Sequence, residues 1–195
     1  IMKRKLRVAV LFGGKSAEHE ISLQSAKNIV EAIDKKKYEV LLIGIDKKGQ
    51  WVLFEAFARR WPKRIALNSE KKMVALIPGK NGGRLVTVSG RRAWTPVDVV
   101  FPVLHGPFGE DGTVQGLFEL AGIPYVGCGV LASSVGMDKD AAMRLVMQAG
   151  LKVPFYKVLR RWQWENLGKS GPQWREIIAT RFEEEMGWPL FVKPC

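Results

Sequence analysis

The sequence is poor in cysteine, in long apolar runs and in acidic residues, and each shortage narrows the classes of protein it can encode. The 195 residues include only two cysteines, too few for a disulfide framework and without metal-ligand spacing. No apolar run reaches the roughly 18 residues that a membrane span requires. We therefore expect a globular protein of the reducing cytoplasm that has no membrane-embedded part.

The first residues carry no recognisable export signal. The basic segment 1–7 leads into a short apolar run, Val8–Phe12, which Gly13 and Gly14 interrupt without a small-residue cleavage site. This pattern predicts a first β-strand rather than a signal peptide.

Acidic residues number 19 against 31 basic ones, which gives a formal charge of +12. Such an excess is compatible with nucleic-acid binding. The lysines and arginines are scattered, however, and do not interleave with stacking aromatics in an RNA-binding module. These lysines and arginines can be explained as a solvated surface. They can also be explained as a basic surface that faces phosphates or an acidic part of the protein outside this sequence. We expect no nucleic-acid partner, and salt-sensitive retention on DNA would test this.

Apolar patterns predict alternating strands and helices. Near-continuous apolar runs at 6–12, 40–45 and 97–104 are typical of strands buried on both faces of a parallel sheet. Two helices are predicted from apolar residues at helical spacing: Leu23, Ala26, Val30 and Ile33 in the first, and Val114, Leu117, Phe118 and Ala121, closed by Gly122, in the second. The opening strand, helix and strand predict a βαβ unit.

Residues 1–130 are therefore predicted to form an α/β domain with an open, mostly parallel sheet. Residues 46–96 are interpreted as an elaboration at its edge, with a hairpin turn at 46–49 and short strands at 51–54, 73–77 and 84–89. A short strand is also predicted at 124–126.

Residues 131–195 are expected to begin a second domain. Asp138 is the predicted N-cap of a helix that Gly150 ends. Strands are predicted at 153–159 and 188–193. Between them a helix is predicted to carry one apolar stripe, formed by Trp174, Ile177, Ile178 and Phe182.

Two glycine-containing loops each follow a predicted strand and precede a predicted helix. The first, GGKSAEHEIS at 13–22, suits an anion at the helix N-terminus or an ammonium bound by Glu18 or Glu20. A tight turn with an acidic first helical turn is the alternative. The second, HGPFGEDG at 105–112, places His105 where it could donate to a carboxylate or phosphate. Its Glu110 and Asp111 are interpreted mainly as helix caps.

Three partial motifs in these regions are excluded by missing residues. A zinc-protease motif starting at His19 lacks its second histidine, since position 23 is Leu. The P-loop-like Gly14-Lys15-Ser16 has Ala9 where a glycine is needed. The G-x-G-x-x-A match at 127–132 lacks the later acidic residue that contacts ribose, so a nicotinamide cofactor is not expected.

Two lysines stand at positions that suggest an anionic ligand. Lys139 starts a predicted helix, where a cation is disfavoured, and Lys193 ends an apolar strand, where burial would need a partner. Both suit nucleotide phosphates. Ordinary surface lysines that extend their amines into solvent remain the alternative.

Taken together, five segments resemble the D-alanine–D-alanine ligase family of the ATP-grasp superfamily: LFGGKSAEHEISLQSAKNI (11–29), HGPFGEDGTVQGLFELAGIPYVG (105–127), VLASSVGMDKD (130–140), AGLKVPF (149–155) and PLFVKP (189–194). The resemblance implies a Rossmann-like pre-ATP-grasp domain at 1–130 and the truncated beginning of an ATP-grasp domain at 131–195. It also implies a reaction for peptidoglycan synthesis, in which ATP phosphorylates the carboxylate of one D-alanine. The amine of a second D-alanine then attacks the acylphosphate.

The resemblance assigns roles to five residues. Glu18 would bind the ammonium of the first D-alanine, with Ile21 and His105 also at the substrate and His105 near its carboxylate. Glu18 and His105 are thus the catalytic candidates, while Lys139 and Lys193 would bind the phosphates of ATP. The family's Mg²⁺ ligands, lid and arginine are expected beyond residue 195, so we expect the chain alone to be inactive. The family also implies a homodimer formed through the N-terminal domain.

Two alternatives to a D-alanine–D-alanine ligase remain open. A D-alanine–D-lactate or D-alanine–D-serine ligase of the same family is one, because the second-substrate pocket lies outside this sequence. A non-catalytic truncated relative that binds only a nucleotide or a partner is the other.

Overall fold

The computed structural model describes residues 4–54, 61–62, 65, 72–79, 83–88, 94–168 and 173–193. The chain divides into two compact units, Ile1–Met137 and Asp138–Cys195. The elements of the first unit are β1 (Leu6–Gly13), α1 (His19–Ala32), β2 (Tyr38–Ile45), β3 (Trp51–Phe54), β4 (Lys72–Ile77), β5 (Arg84–Thr87), β6 (Trp94–Pro96), β7 (Val99–Val103), α2 (Thr113–Ala121) and α3 (Val130–Met137).

The strands of the first unit form one open sheet in the order β6-β5-β4-β3-β2-β1-β7. β1 lies parallel to both β2 and β7, with Leu6 opposite Tyr38 and Val8 opposite Val99. The remaining pairings, from β2 to β6, are antiparallel. The predicted α/β class and the βαβ unit are confirmed, and the parallel strands lie where the two glycine-containing loops begin.

The segment between β2 and β7 extends the sheet at one edge, as predicted. Its entry is the predicted hairpin turn, in which the carboxylate of Asp46 accepts hydrogen bonds of 2.8 Å from the backbone N–H groups of Lys48 and Gln50. The positive φ of Gly49, 87°, completes the turn. Residues 55–60 and 89–93, which also fall in the predicted elaboration, lie outside the described residues.

Each face of the sheet is covered by one helix. Alternate residues of β1 point to opposite faces. Val8, Val10 and Phe12 pack on one face with Leu23, Ala26 and Val30 of α1, and Ala9 and Leu11 pack on the other with Val114, Phe118 and Ala121 of α2. Both predicted apolar helix faces are confirmed, and the left-handed Gly122 ends α2 as expected.

The region after α2 differs from its prediction in two ways. The strand predicted at 124–126 is a single bridge, in which Val100 accepts from Val126 N–H at 2.9 Å and donates to Pro124 O at 2.8 Å. Helix α3 was not predicted. Its sequence has no periodic apolar face, and Ser133 is the residue it buries.

The second unit contains three helices among its described residues, α4 (Lys139–Gln148), α5 (Arg161–Gly168) and α6 (Trp174–Met186). Asp138 is the N-cap of α4, as predicted, and accepts from Ala141 N–H at 3.0 Å. The stripe predicted on α6 is only partly covered, since Trp174 is buried whereas Ile177 is exposed.

The strands predicted at 153–159 and 188–193 are wrong in this structure. Neither segment pairs with another strand in the described part of the chain, and a strand exists only where its backbone groups have a neighbouring ladder. Both segments leave large apolar side chains in solvent, with Phe155 66% and Val192 94% exposed. The burial that their apolar sequence predicted is therefore also wrong for these side chains, although Val158 and Leu159 line a cavity together with residues of α6.

A buried carboxylate holds the start of α4 to the segment that follows it. Asp140, 3% exposed, accepts hydrogen bonds from Arg144, from the Tyr156 hydroxyl at 3.2 Å and from Arg160. The hydrogen bond from Arg144 is the largest cause of a lowered pKa for the Asp140 carboxyl and, with Tyr156 and the nearby positive charges, outweighs the opposing effect of desolvation. The first turn of α4, with Lys139 beside this carboxylate, is thereby fixed.

No helix among the described residues is long and apolar enough to cross a membrane.

A second carboxylate joins α6 to residue 157. Glu185 pairs with Arg181 at 2.8 Å and with Lys157 at 2.6 Å. These hydrogen bonds, that from Arg181 first, lower the pKa of the Glu185 carboxyl from 4.5 to about 2.

We predict that Glu185→Gln lowers the melting temperature of the protein at neutral pH but not in strong acid. Because the folded-state pKa lies below the ordinary value of 4.5, this contribution is complete above that pH and is lost as the pH falls towards 2. Melting curves from pH 7 to pH 3 test this, with Glu184→Gln on the same helix as the control. A melting difference that stays constant as the pH falls would contradict the assignment.

Candidate active site

The two glycine-containing loops emerge side by side. β1 and β7 are adjacent and parallel, so the loops at 13–18 and 104–112 leave the sheet at the same edge, where open α/β sheets bind ligands. The order of the strands therefore places the two loops next to each other, as a shared site requires.

Ser22, in the first half of α1, connects the ends of the two strands. Its side chain is fully buried, and its hydroxyl accepts from Gly13 N–H at 2.7 Å while donating to Val103 O. Gly13 is the last residue of β1 and Val103 the last of β7. One hydroxyl thus bonds a backbone donor at the end of β1 and a backbone acceptor at the end of β7.

The first loop is also held against β2. Gly14 N–H donates to Ile45 O at 2.8 Å, and the buried His19 donates from Nδ1 to Gly14 O at 2.7 Å, since a carbonyl can only accept. A side chain on Gly13 would place its Cβ 2.3 Å from Ile45 O, and the φ of Gly13 is 92°. Glycine is therefore required here by both contact and conformation.

The second loop is stabilised by its own carboxylates. Glu110 accepts from Gly106 N–H at 2.7 Å, and Asp111 accepts from Phe108 N–H at 2.8 Å and from Thr113 N–H at 3.0 Å. Partial burial raises the pKa of the Asp111 carboxyl, but the hydrogen bonds from Thr113 and Phe108 outweigh burial and leave this pKa below its ordinary value. Both carboxylates therefore have structural roles, but the prediction that they cap the helix is wrong, because the N-cap of α2 is Gly112 and it has no side-chain cap hydrogen bond.

Glu18 lies against the second loop at Gly106, the residue after His105. A Cβ built on Gly106 would be 2.9 Å from Glu18 Oε2, so the absence of a side chain at Gly106 admits the carboxylate. His105 lies 3.2 Å from the Ser25 hydroxyl through Nε2. Within the described residues no cation forms an ion pair with Glu18. The structure therefore leaves the Glu18 carboxylate without a cationic partner at the backbone of Gly106. The imidazole of His105, the residue before Gly106, contacts Ser25 of α1.

A cavity of about 210 Å³ lies between the loops and β2. Its apolar walls include Ile45, Trp51, Leu104 and Val114, and Lys15 and His105 supply its ionisable side chains. Of the two loops' candidate residues, His105 lines this cavity and Glu18 does not.

The remaining predicted site residues are Ile21, Lys139 and Lys193. Ile21 is 56% exposed, one helical turn after Glu18 on α1. Lys139 is the first residue of α4, and Lys193 lies after α6; both are exposed in the second unit. Sequence reasoning missed Ser22 and His19, whose importance comes from contacts with distant backbone that local patterns do not report.

The first unit is an α/β domain whose two paired loops leave the carboxyl ends of a parallel strand pair, the place where open α/β sheets bind ligands. Residues 7–128 match the family described as D-ala D-ala ligase N-terminus. The chain belongs to the D-alanine–D-alanine ligase family, as the sequence resemblance predicted.

Relatives agree with this assignment. A D-alanine–D-alanine ligase from Shouchella clausii is 50% identical over 98% of this chain and 50% of its own length. The solved D-alanine–D-alanine ligase from Coxiella burnetii is 34% identical with a TM-score of 0.75, covering 94% of this chain and 50% of that one. The VanG D-Ala:D-Ser ligase from Enterococcus faecalis is 35% identical with a TM-score of 0.73, covering 95% and 51%. The chain thus spans about half the length of the relatives it matches.

We predict that Gly106→Ala displaces Glu18, whereas Gly122→Ala does not. Both glycines have positive φ, 72° and 63°, so each alanine costs about 1–2 kcal/mol of folding free energy through the backbone. Only at Gly106 would the new Cβ also meet Glu18, because nothing lies within 4 Å at Gly122. Urea unfolding measures the shared cost, and amide NMR shifts at 16–18 measure the displacement. Equal shifts in both variants would contradict the contact.

Proposed function

We propose that this chain supplies the first-substrate half of an ATP-dependent ligase that joins two D-alanines for peptidoglycan synthesis. The observation that carries the proposal is the position of Glu18, whose carboxylate lies against Gly106, the residue after His105, where two parallel strands end. Family membership supports the reaction class. The chain's coverage of half of its relatives leaves the complete activity as a proposal.

Glu18 and His105 each suit a different end of an amino acid, the ammonium and the carboxylate respectively. A carboxylate without a cationic neighbour stabilises an ammonium through charge-assisted hydrogen bonds, the role proposed for Glu18. His105 can donate to the carboxylate of the same substrate. Ile21, exposed on the same face of α1 one turn further on, is proposed to contact the substrate's apolar part. Because Glu110 and Asp111 are already engaged by backbone N–H groups, Glu18 is the carboxylate of these loops best suited to the ammonium.

The second unit is proposed to begin the ATP-grasp domain. Lys139 and Lys193 are both exposed cations there, and point charges of this kind neutralise nucleotide phosphates. Asp140 fixes the helical turn that Lys139 starts, which limits where that ammonium can reach. The proposed domain boundary lies near residue 130, seven residues before the division between the compact units.

Magnesium is expected in such a ligase, because charge on the transferred phosphoryl group must be neutralised. The described residues do not fit that role, since no group of three or more histidine, cysteine or acidic side chains in them could hold an ion. No step at Glu18 or His105 is therefore assigned to Mg²⁺.

A ligase that uses D-serine as its second substrate is the alternative with a specific observation behind it. The Enterococcus relative, described as a D-Ala:D-Ser ligase, matches this chain about as well as the Coxiella enzyme does. The loops described here contain the proposed site of the first substrate, which both reactions share. Cytoplasmic location and a homodimer formed by the N-terminal domain belong to the same proposal and rest on the family.

The proposal is tested by expressing the protein from its complete reading frame and measuring phosphate release from ATP with D-alanine. Glu18→Gln should raise the KM for D-alanine by about 10- to 100-fold, because a hydrogen bond to a charged group is lost. Supplying D-serine or D-lactate beside limiting D-alanine, and identifying the product by mass, distinguishes the second substrates.

Glu20→Gln is the matched control. Glu20 lies two residues from Glu18 in the same turn, but its carboxylate pairs with Lys47 at 2.8 Å, so its loss should leave the KM for D-alanine within about 2-fold of wild type. Equal effects of the two variants would contradict the role of Glu18. An absence of D-alanine-dependent phosphate release from the wild type would favour a non-catalytic relative.

A further inference from the structure

Lys15, three residues before Glu18, crosses from the first loop to the turn between β2 and β3. A Cβ built on Gly49 would lie 2.3 Å from Lys15 Cε and 3.2 Å from Lys15 Nζ. The stem of Lys15 therefore lies directly on the backbone of Gly49. No carboxylate in the described part of the chain pairs with this ammonium, so an ion pair does not account for its position.

The ammonium of Lys15 reaches the second loop at Phe108. Nζ lies 5.4 Å from the centre of the Phe108 ring, within the range of a cation–π interaction. Phe108 is the one non-glycine residue of the described chain with positive φ, 66°, and its side chain is 56% exposed. Neither feature is explained by core packing, and unusual backbone conformations of this kind concentrate at functional sites.

The two loops thus meet at two points. Glu18 lies against Gly106, and Lys15 lies over Phe108. The spacing in sequence is similar on both sides, because Lys15 precedes Glu18 by three residues and Phe108 follows His105 by three. A contact between Lys15 and Phe108 therefore restricts the separation of Glu18 and His105.

We propose that Lys15 and Phe108 form a clasp that positions Glu18 relative to His105 and thereby determines the affinity for the first D-alanine. This inference rests on the proposed function for its effect on substrate, whereas the clasp itself is a property of the chain. Lys15 and Phe108 are positioning residues in it. Gly49 belongs to the clasp as the surface on which the lysine stem lies.

Kinetics of the complete protein separate positioning from a general structural role. Lys15→Met keeps the apolar stem and removes the charge, and Phe108→Leu removes the ring. Each should raise the KM for D-alanine by about 2- to 5-fold, the equivalent of an exposed cation–π interaction, with the KM for ATP unchanged. The double variant should have a KM no higher than that of the more impaired single variant, because both substitutions remove the same contact.

Conservative variants and a neighbouring ion pair provide the controls. Lys15→Arg and Phe108→Tyr retain a cation over an aromatic ring and should restore the wild-type KM. Lys47→Met removes the ion pair of Lys47 with Glu20, which ties α1 to the same turn without touching the second loop, and should leave the KM unchanged. Single effects that multiply, or an equal effect of Lys47→Met, would overturn the clasp as a positioning device.

A second measurement tests the clasp without catalysis. In NMR spectra of the 195-residue chain, the Lys15 side-chain protons should be shifted upfield by the Phe108 ring and should lose that shift in Phe108→Leu. Amide exchange at Glu18 and Gly106 should quicken in Lys15→Met but not in Lys47→Met. An absent ring shift would overturn the clasp even if the enzyme is active. An inactive wild-type enzyme with the shift and exchange pattern present would reject the proposed function and keep the clasp.

Discussion

The candidate site depends on one buried hydroxyl. Ser22 accepts from the last N–H of β1 and donates to the last carbonyl of β7, at the place where both strands give way to loops. Backbone groups at strand ends lose their ladder partners, and burial without replacement is costly. By serving both strands, Ser22 fixes the two loop origins relative to each other. Glu18 and His105 belong to the two loops that this arrangement holds together.

The carboxylates in and beside those loops fall into two groups, those that already have partners within the protein and Glu18, which has no cationic partner. Glu110 and Asp111 accept hydrogen bonds from backbone N–H groups, and Glu20 forms an ion pair with Lys47. Glu18 alone among these four lies at Gly106 without a cation from the described residues. The ammonium of a ligand would therefore neutralise the Glu18 carboxylate, which has no cationic partner among the described residues. This is the physical basis for proposing Glu18 as a substrate contact.

Local patterns predicted the elements that carry their own signal. Near-continuous apolar runs predicted β1 and β2, which are buried on both faces, and helical spacing predicted α1 and α2, which bury one face. The strands predicted at 153–159 and 188–193 failed because strand formation needs a partner that an apolar run does not specify. Ser22 and Lys15 could not be identified from sequence alone, since their roles come from Val103 and Phe108, more than 80 residues away in each case.

The most direct measurement of the central claim is the behaviour of Ser22→Ala. Loss of the hydroxyl leaves a buried donor and acceptor unpaired, so we expect destabilisation of about 1–3 kcal/mol in urea unfolding. Faster amide exchange at Gly13 and NMR shifts in both loops, 13–18 and 104–112, should accompany it. A variant within about 0.5 kcal/mol of wild type, with shifts confined to the first loop, would contradict the view that this hydroxyl joins the two halves of the site.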